Sequence, residues 1–196
     1  MRKQFLLFSL LFILLPFFTT QAQENKAIKI PQLSISYWNI SGYRLEVPET
    51  ILGDRSGGAT DRTGKSFTLS AWINMDQFTN GTSNNKGNVI MGHGARFHFN
   101  YNGSLVLATT TDGTLKIISG GGNTVSGNID ATVALNTWTY LTLVYDNSDF
   151  SVKVYKDGVL VDTRNNGSQL TLFSDDPCIF YVGGTGFSGL CDDAVL

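Results

Sequence analysis

The stretch SVKVYKDGVLV, residues 151–161, decides the fold class of this chain. Its first half alternates Val152 and Val154 with Lys153 and Tyr155, the two-residue period that sends successive side chains to opposite faces of a sheet. Asp157-Gly158 interrupts the run, and Val159, Leu160 and Val161 follow. An Asp-Gly pair between two such runs marks a tight hairpin, because both residues tolerate the positive φ that a two-residue turn demands. The stretch therefore reads as two antiparallel neighbours.

Working outward, the same device recurs. Asp112-Gly113 precedes the run from Leu115 to Ile118, and Asn102-Gly103 separates Arg96–Tyr101 from Leu105–Leu107. Within 96–101, Phe97, Phe99 and Tyr101 share one face while Arg96, His98 and Asn100 share the other. Residues 67–73, FTLSAWI, alternate clearly, residues 179–182 form one more run, and 138–145 is apolar enough to predict a central strand. No window of ten or more residues carries an uninterrupted amphipathic helical repeat. Short strands punctuated by turn residues indicate an all-β fold, a two-sheet antiparallel β-sandwich or a barrel. Residues 53–65 and 80–87, rich in Gly, Asn, Ser and Thr, are expected as long surface loops at its rim. Trp72, Trp138, Phe97, Phe99, Leu143 and Tyr155 are expected in the core, whereas Trp38 is the aromatic expected to be exposed.

The front of the chain reads differently. Arg2 and Lys3 precede an apolar run from Phe5 to Phe18 and then Thr19-Thr20-Gln21-Ala22, the order of a secretory signal peptide cleaved after Ala22. The run is shorter than the roughly 20 apolar residues of a spanning helix, and Pro16 interrupts its end. Residues 1–22 are thus expected as a signal peptide, 23–39 as a lead-in and 40–196 as the sandwich domain, with no membrane span in the mature chain. The expected location is secreted or extracytoplasmic, the periplasm or cell surface if bacterial. With 14 Lys and Arg against 16 Asp and Glu and no basic run, the chain lacks the clustered cations that nucleic-acid binding requires. Hydrophobic residues at 42% against 15% charged ones supply enough apolar surface to offset the entropy of ordering a core.

Four stretches in order, residues 66–73, 136–145, 154–160 and 187–193, with Gly183-Gly184 before the last, resemble the laminin-G-like domains of the concanavalin A-like lectin/glucanase superfamily. The resemblance covers roughly residues 40–196 and implies a jelly roll of two antiparallel sheets. It also implies a candidate calcium site, since many such domains hold one Ca²⁺ with acidic side chains and carbonyls. Asp192 aligns with the acidic residue of the closing motif and Asp193 adjoins it, so these two are the candidate ligands. Cys191 stands where the family usually has an aliphatic residue. The family's last strand normally runs beyond the position of Leu196, so an exposed edge, and a domain truncated at its C-terminus as part of a longer protein, are expected.

The chemistry available to such a module is narrow. The chain has three glutamates, Glu24, Glu46 and Glu49, none spaced to flank a glycosidic bond from one strand. Asp175-Asp176 and Asp192-Asp193 are adjacent pairs, which in a strand point to opposite faces. His93 and His98 have no nucleophile elbow or ligand spacing beside them, so neither serine or cysteine catalysis nor a zinc site is expected. Sugar recognition needs an aromatic platform with planar polar groups around it. Arg96, His98 and Asn100, with Trp38 and the loop residues Asn84, Asn85 and Lys86, are the ligand-binding candidates; the alternative is a merely solvated sheet face. In an oxidising compartment Cys178 and Cys191 either form a disulfide contributing on the order of 3 kcal/mol or remain two buried thiols. The expected function is a secreted, non-catalytic glycan-binding module; a structural Ca²⁺ at Asp192 is a candidate addition, the alternative being that Asp192 caps a turn or faces solvent. The alternatives are an adhesive module for a cell-surface protein and an accessory fragment of a carbohydrate-active enzyme.

Overall fold

The computed structural model describes residues 27–30, 45–47, 65–79, 88–95, 105–120, 124–170, 178–184 and 186–196, with 46, 47, 94, 95, 178 and 179 described by backbone alone. Among these residues the regular elements are all strands: β1 (Ile28–Ile30), β2 (Leu45–Val47), β3 (Phe67–Met75), β4 (Asn88–Ala95), β5 (Leu105–Thr109), β6 (Thr114–Ser119), β7 (Gly127–Thr132), β8 (Thr139–Asp146), β9 (Ser151–Lys156), β10 (Val159–Asn165), β11 (Cys178–Val182) and β12 (Gly189–Val195). One sheet has the order β1-β12-β3-β8-β9-β10 and the other β2-β11-β4-β5-β6-β7, and all the paired neighbours are antiparallel. The expected two-sheet antiparallel sandwich is thus the observed one.

Parity builds the core. In β3, Phe67, Leu69, Ala71, Ile73 and Met75 are buried, and in β8 Leu141, Leu143 and Tyr145 oppose them from the same sheet. Leu105, Leu107, Leu115 and Ile117 meet them from the second sheet in one continuous cluster. The β9–β10 hairpin turns where the sequence predicts it: Asp157 (φ 52°) and Gly158 (φ 79°) both adopt positive φ, as a type I′ turn requires. Asp112-Gly113 likewise joins β5 to β6, and β8 lies in the interior of its sheet, between β3 and β9.

Several expectations are corrected by register. Trp72 and Trp138 are not core residues; they are 39% and 40% exposed. Four inward residues of odd number, Phe67 to Ile73, put Trp72 in the outward set with Thr68 and Ser70, whatever the apolar content of the run. Tyr155 is only half-buried for the same reason, because Val152 and Val154 take the inward positions of β9, while Leu143 is buried as expected. The closing strand β12 is not an edge, since β1 pairs with it at Gly189–Cys191 and β3 pairs with its other side. That strand β1 lies within residues 23–39, the expected lead-in. The expected strand 96–101, including Phe97 and Phe99, lies outside the described residues; β4 occupies residues 88–95 just before it.

Two polar clusters tie the layers together. The buried Asn88 amide accepts from the Thr79 N–H (2.8 Å) and hydroxyl (2.7 Å) and donates to Thr109 Oγ1 (3.1 Å) and the Thr110 carbonyl (3.2 Å). Arg164 of β10 donates to the carbonyls of Val125 (3.1 Å) and Asn128 (2.5 Å) while paired to Asp162 at 2.7 Å, so it clips one sheet's edge to β7 of the other. A Cβ on Gly127 would stand 2.5 Å from that guanidinium, and its φ of 145° disfavours other residues as well.

Candidate functional site

The outer faces of the two sheets differ in kind. On the β2-to-β7 sheet, Val89, Val106, Ala108 and Tyr181 form a second buried cluster on the side away from the main core. Among the described residues, the exposed large apolar side chains all belong to the β1-to-β10 sheet or to the connection leading into β8. This second surface is therefore where apolar area meets solvent.

Its centre is a row of four residues running across strands. Asp192 of β12 is the register partner of Trp72 in β3, and Trp72 is the partner of Tyr140 in β8. Directly opposed residues of an antiparallel pair share a face. The Trp72 and Tyr140 rings lie 5.2 Å apart, tilted by 44°. Beyond Tyr140 the row ends at Asp157, whose Oδ1 accepts the Tyr140 N–H (2.9 Å) and whose N–H donates to the Tyr140 carbonyl (2.7 Å). Trp138 stands two residues before Tyr140, in a connection anchored by the Asn136 N–H on the Met75 carbonyl at 2.7 Å. The result is an acid–aromatic–aromatic–acid row across the sheet, with a further exposed indole two residues from Tyr140 along the chain. Flat aromatic faces offer large apolar contact at little entropic cost, and carboxylates make charge-assisted hydrogen bonds to hydroxyls.

The β12 strand sets the positions of the acids. Cys191 points into the core, fully buried, so Asp192 must face outward. Burial first, and the neighbouring Asp192 charge second, push the Cys191 thiol up to about 12. It is a free cysteine, so of the two states open to it, disulfide or buried thiol, it takes the second. Cys178 opens β11 in the opposite sheet, and its side chain is outside the description. Asp193 is exposed with φ 46°, its N–H donating to Asp192 Oδ1 at 2.9 Å. A Ca²⁺ shell needs six to eight oxygens. The described residues contain no group of three or more His, Cys, Asp or Glu that would bring Asp192 and Asp193 further acidic ligands.

Of the other predicted site residues, Arg96, His98, Asn100 and Trp38 lie outside the described residues, as do Asn84, Asn85 and Lys86. His93 is buried on β4 with its ring 4.7 Å from that of Phe180, a packing position. The aromatic strip is what the sequence reading missed, although the parity of residues 67–73 carried the signal. Among the described residues no helix is long and apolar enough to cross a membrane.

A family profile described as the concanavalin A-like lectin/glucanases superfamily matches residues 55–195. No curated protein matches the chain. Among solved structures it is similar to the CBM40 domain of a Ruminococcus gnavus IT-sialidase bound to α2,3-sialyllactose, at 14% identity and a TM-score of 0.55, covering 86% of both chains. The same domain bound to α2,6-sialyllactose gives a TM-score of 0.51 at 14% identity, covering 87% of this chain and 92% of that one. A Bacteroides ovatus protein classed provisionally as carbohydrate-binding gives 0.50 at 19% identity, covering 85% of this chain but only 43% of that one.

Proposed function

We propose a function from one premise: the chain belongs to the concanavalin A-like lectin/glucanases superfamily. On that scaffold it acts as an exported, non-catalytic module that recognises glycans. The observation that carries this reading is the solvent-facing Trp72–Tyr140 pair on a rigid sheet, with a carboxylate on each side. Sheet residues hold such a platform in place without a binding-induced rearrangement, which lowers the entropic cost of capture. The similar CBM40 domain, which binds sialyllactose, supports glycan recognition by a sandwich of this shape.

The same geometry argues against hydrolysis at this strip. Asp192 and Asp157 are separated by three strand spacings, about 14 Å between backbones. Glycosidase carboxylates lie roughly 5–9.5 Å apart. Asp157 is also engaged with the Tyr140 backbone. Export rests on the leader-like residues 1–22, and an accessory role beside a carbohydrate-active enzyme fits a binding module of this kind.

An adhesive role towards a cell-surface protein has one observation in its favour. Val159 and Leu160 are exposed on β10, an edge strand of the sheet. A glycan array probed with the purified chain separates the two. Retention on a glycan that Trp72→Ala weakens supports the proposal, and no retention on plant, microbial or host glycans overturns it.

A further inference from the structure

We infer that the aromatic strip takes an uncharged glycan and discriminates against sugars bearing carboxylates. This rests on the proposed glycan-binding reading and adds the ligand's charge class. Trp72 and Tyr140 are bracketed across the sheet by Asp192 on one side and Asp157 on the other, so each aromatic has an acidic residue as its neighbour one strand spacing away, about 4.8 Å between backbones. Both acids accept hydrogen bonds and, when ionised, donate none. They match the hydroxyls of a neutral pyranose, which donate, and repel a uronate or sialate carboxylate, which only accepts.

Among the described residues, the cations of this sheet's strands are placed away from the strip. Lys29 pairs with Asp76. Lys153 lies two outward positions away along β9 from the turn at Asp157 and sits 3.9 Å from Asp146 and 3.7 Å from Asp149. Lys156 belongs by register to the inward set, opposite the buried Leu141. Arg164 is spent on Asp162 and two carbonyls across the sandwich. Recognition of an anionic sugar on a protein surface relies on Arg or Lys donors aimed at the carboxylate. Among the described residues, the ionisable groups nearest this strip are the carboxylates of Asp192 and Asp157. Each site carboxylate already has one oxygen occupied, Asp192 by the Asp193 N–H and Asp157 by the Tyr140 N–H, which orients the pair and leaves the second oxygen of each for a ligand hydroxyl.

The test is native affinity electrophoresis of the full chain through gels containing neutral polysaccharides (galactan, arabinan, xyloglucan, β-glucan) or acidic ones (polygalacturonan, sialylated mucin), with Trp72→Ala and the double variant D157N/D192N alongside. Asn keeps the shape, the backbone acceptor and the tolerance of positive φ at 157 while removing the charge. The expected result is retardation by at least one neutral polysaccharide, weakened at least tenfold by Trp72→Ala, and binding to acidic polysaccharides that is at least tenfold weaker until both charges are removed. Binding of the wild type to an acidic glycan through Trp72, as tight as to any neutral one, overturns the inference and leaves glycan recognition standing. Neutral binding that Trp72→Ala leaves intact also overturns it, by removing the strip as the site. Retention by neither class overturns both the inference and the proposed function.

Discussion

The Asn88 cluster gives the sharpest stability prediction. Asn88→Ala deletes four side-chain hydrogen bonds, those with the Thr79 N–H and hydroxyl, the Thr109 hydroxyl and the Thr110 carbonyl, of which the Thr79 hydroxyl keeps the Gly186 carbonyl (3.4 Å) and the Thr110 carbonyl keeps the Gly113 N–H (3.3 Å). At roughly 1 kcal/mol per bond, and more for a buried group left unpaired, the loss is about 4 kcal/mol. For a domain of this size that lowers the melting midpoint by roughly 8–16 °C. Asn88→Asp, nearly isosteric, sharpens the test. Its carboxylate would face the Thr110 carbonyl and be buried, so its pKa should rise above the ordinary Asp value. A group whose folded-state pKa is raised contributes stability below its unfolded pKa and loses it as pH rises through the folded value. Asn88→Asp should therefore be close to wild type near pH 4 and strongly destabilised at pH 7. Urea unfolding at both pH values, followed by tryptophan fluorescence, is the assay. A loss below about 1 kcal/mol for Asn88→Ala, or no pH dependence for Asn88→Asp beyond that of wild type, would refute the idea that this amide holds the β3 end against β4 and β5.

Other outcomes follow from the same structure. Arg164→Lys should cost about 1–2 kcal/mol in urea unfolding, because an ammonium does not span two carbonyls and a carboxylate as the guanidinium does; a wild-type midpoint would show that the clip contributes nothing. The Cys191 thiol, raised to about 12, should resist thiol reagents in the native protein and react on unfolding, and its contribution to stability should be present below pH 9 and lost as pH climbs towards 12. Reaction of native Cys191 at the rate of a free peptide thiol would contradict the burial. Calcium at Asp192 and Asp193 is tested by melting with millimolar Ca²⁺ and then with chelator: a rise reversed by chelator establishes the ion, and an unchanged midpoint removes it.

How the sandwich was legible is clear from particular residues. Asp157-Gly158 announced the β9–β10 turn, and the alternation in 67–73 and 151–155 announced strands, because turn chemistry and side-chain parity are local properties. The same parity, applied strictly, already placed Trp72 among Thr68 and Ser70 on the outer face; weighing the run by its apolar content put it in the core instead. The pairing of Cys178 and Cys191 was not legible, since whether two Cβ atoms face each other depends on which sheet each strand joins.

By itself, the sequence determined the all-β class and the strand-and-turn rhythm of residues 105–118 and 138–161, all set within a few residues along the chain. Only the tertiary structure decided that β1 flanks β12, that Cys191 sits alone in the core, and that Asp192, Trp72, Tyr140 and Asp157 fall in one row. Tyr140 and Asp157 are brought together by the consecutive strands β8 and β9, but Asp192, Trp72 and Tyr140 come from strands far apart in the chain. Their alignment is a matter of register between non-consecutive strands, fixed by the requirement that every inward residue of the sheet reach the same core.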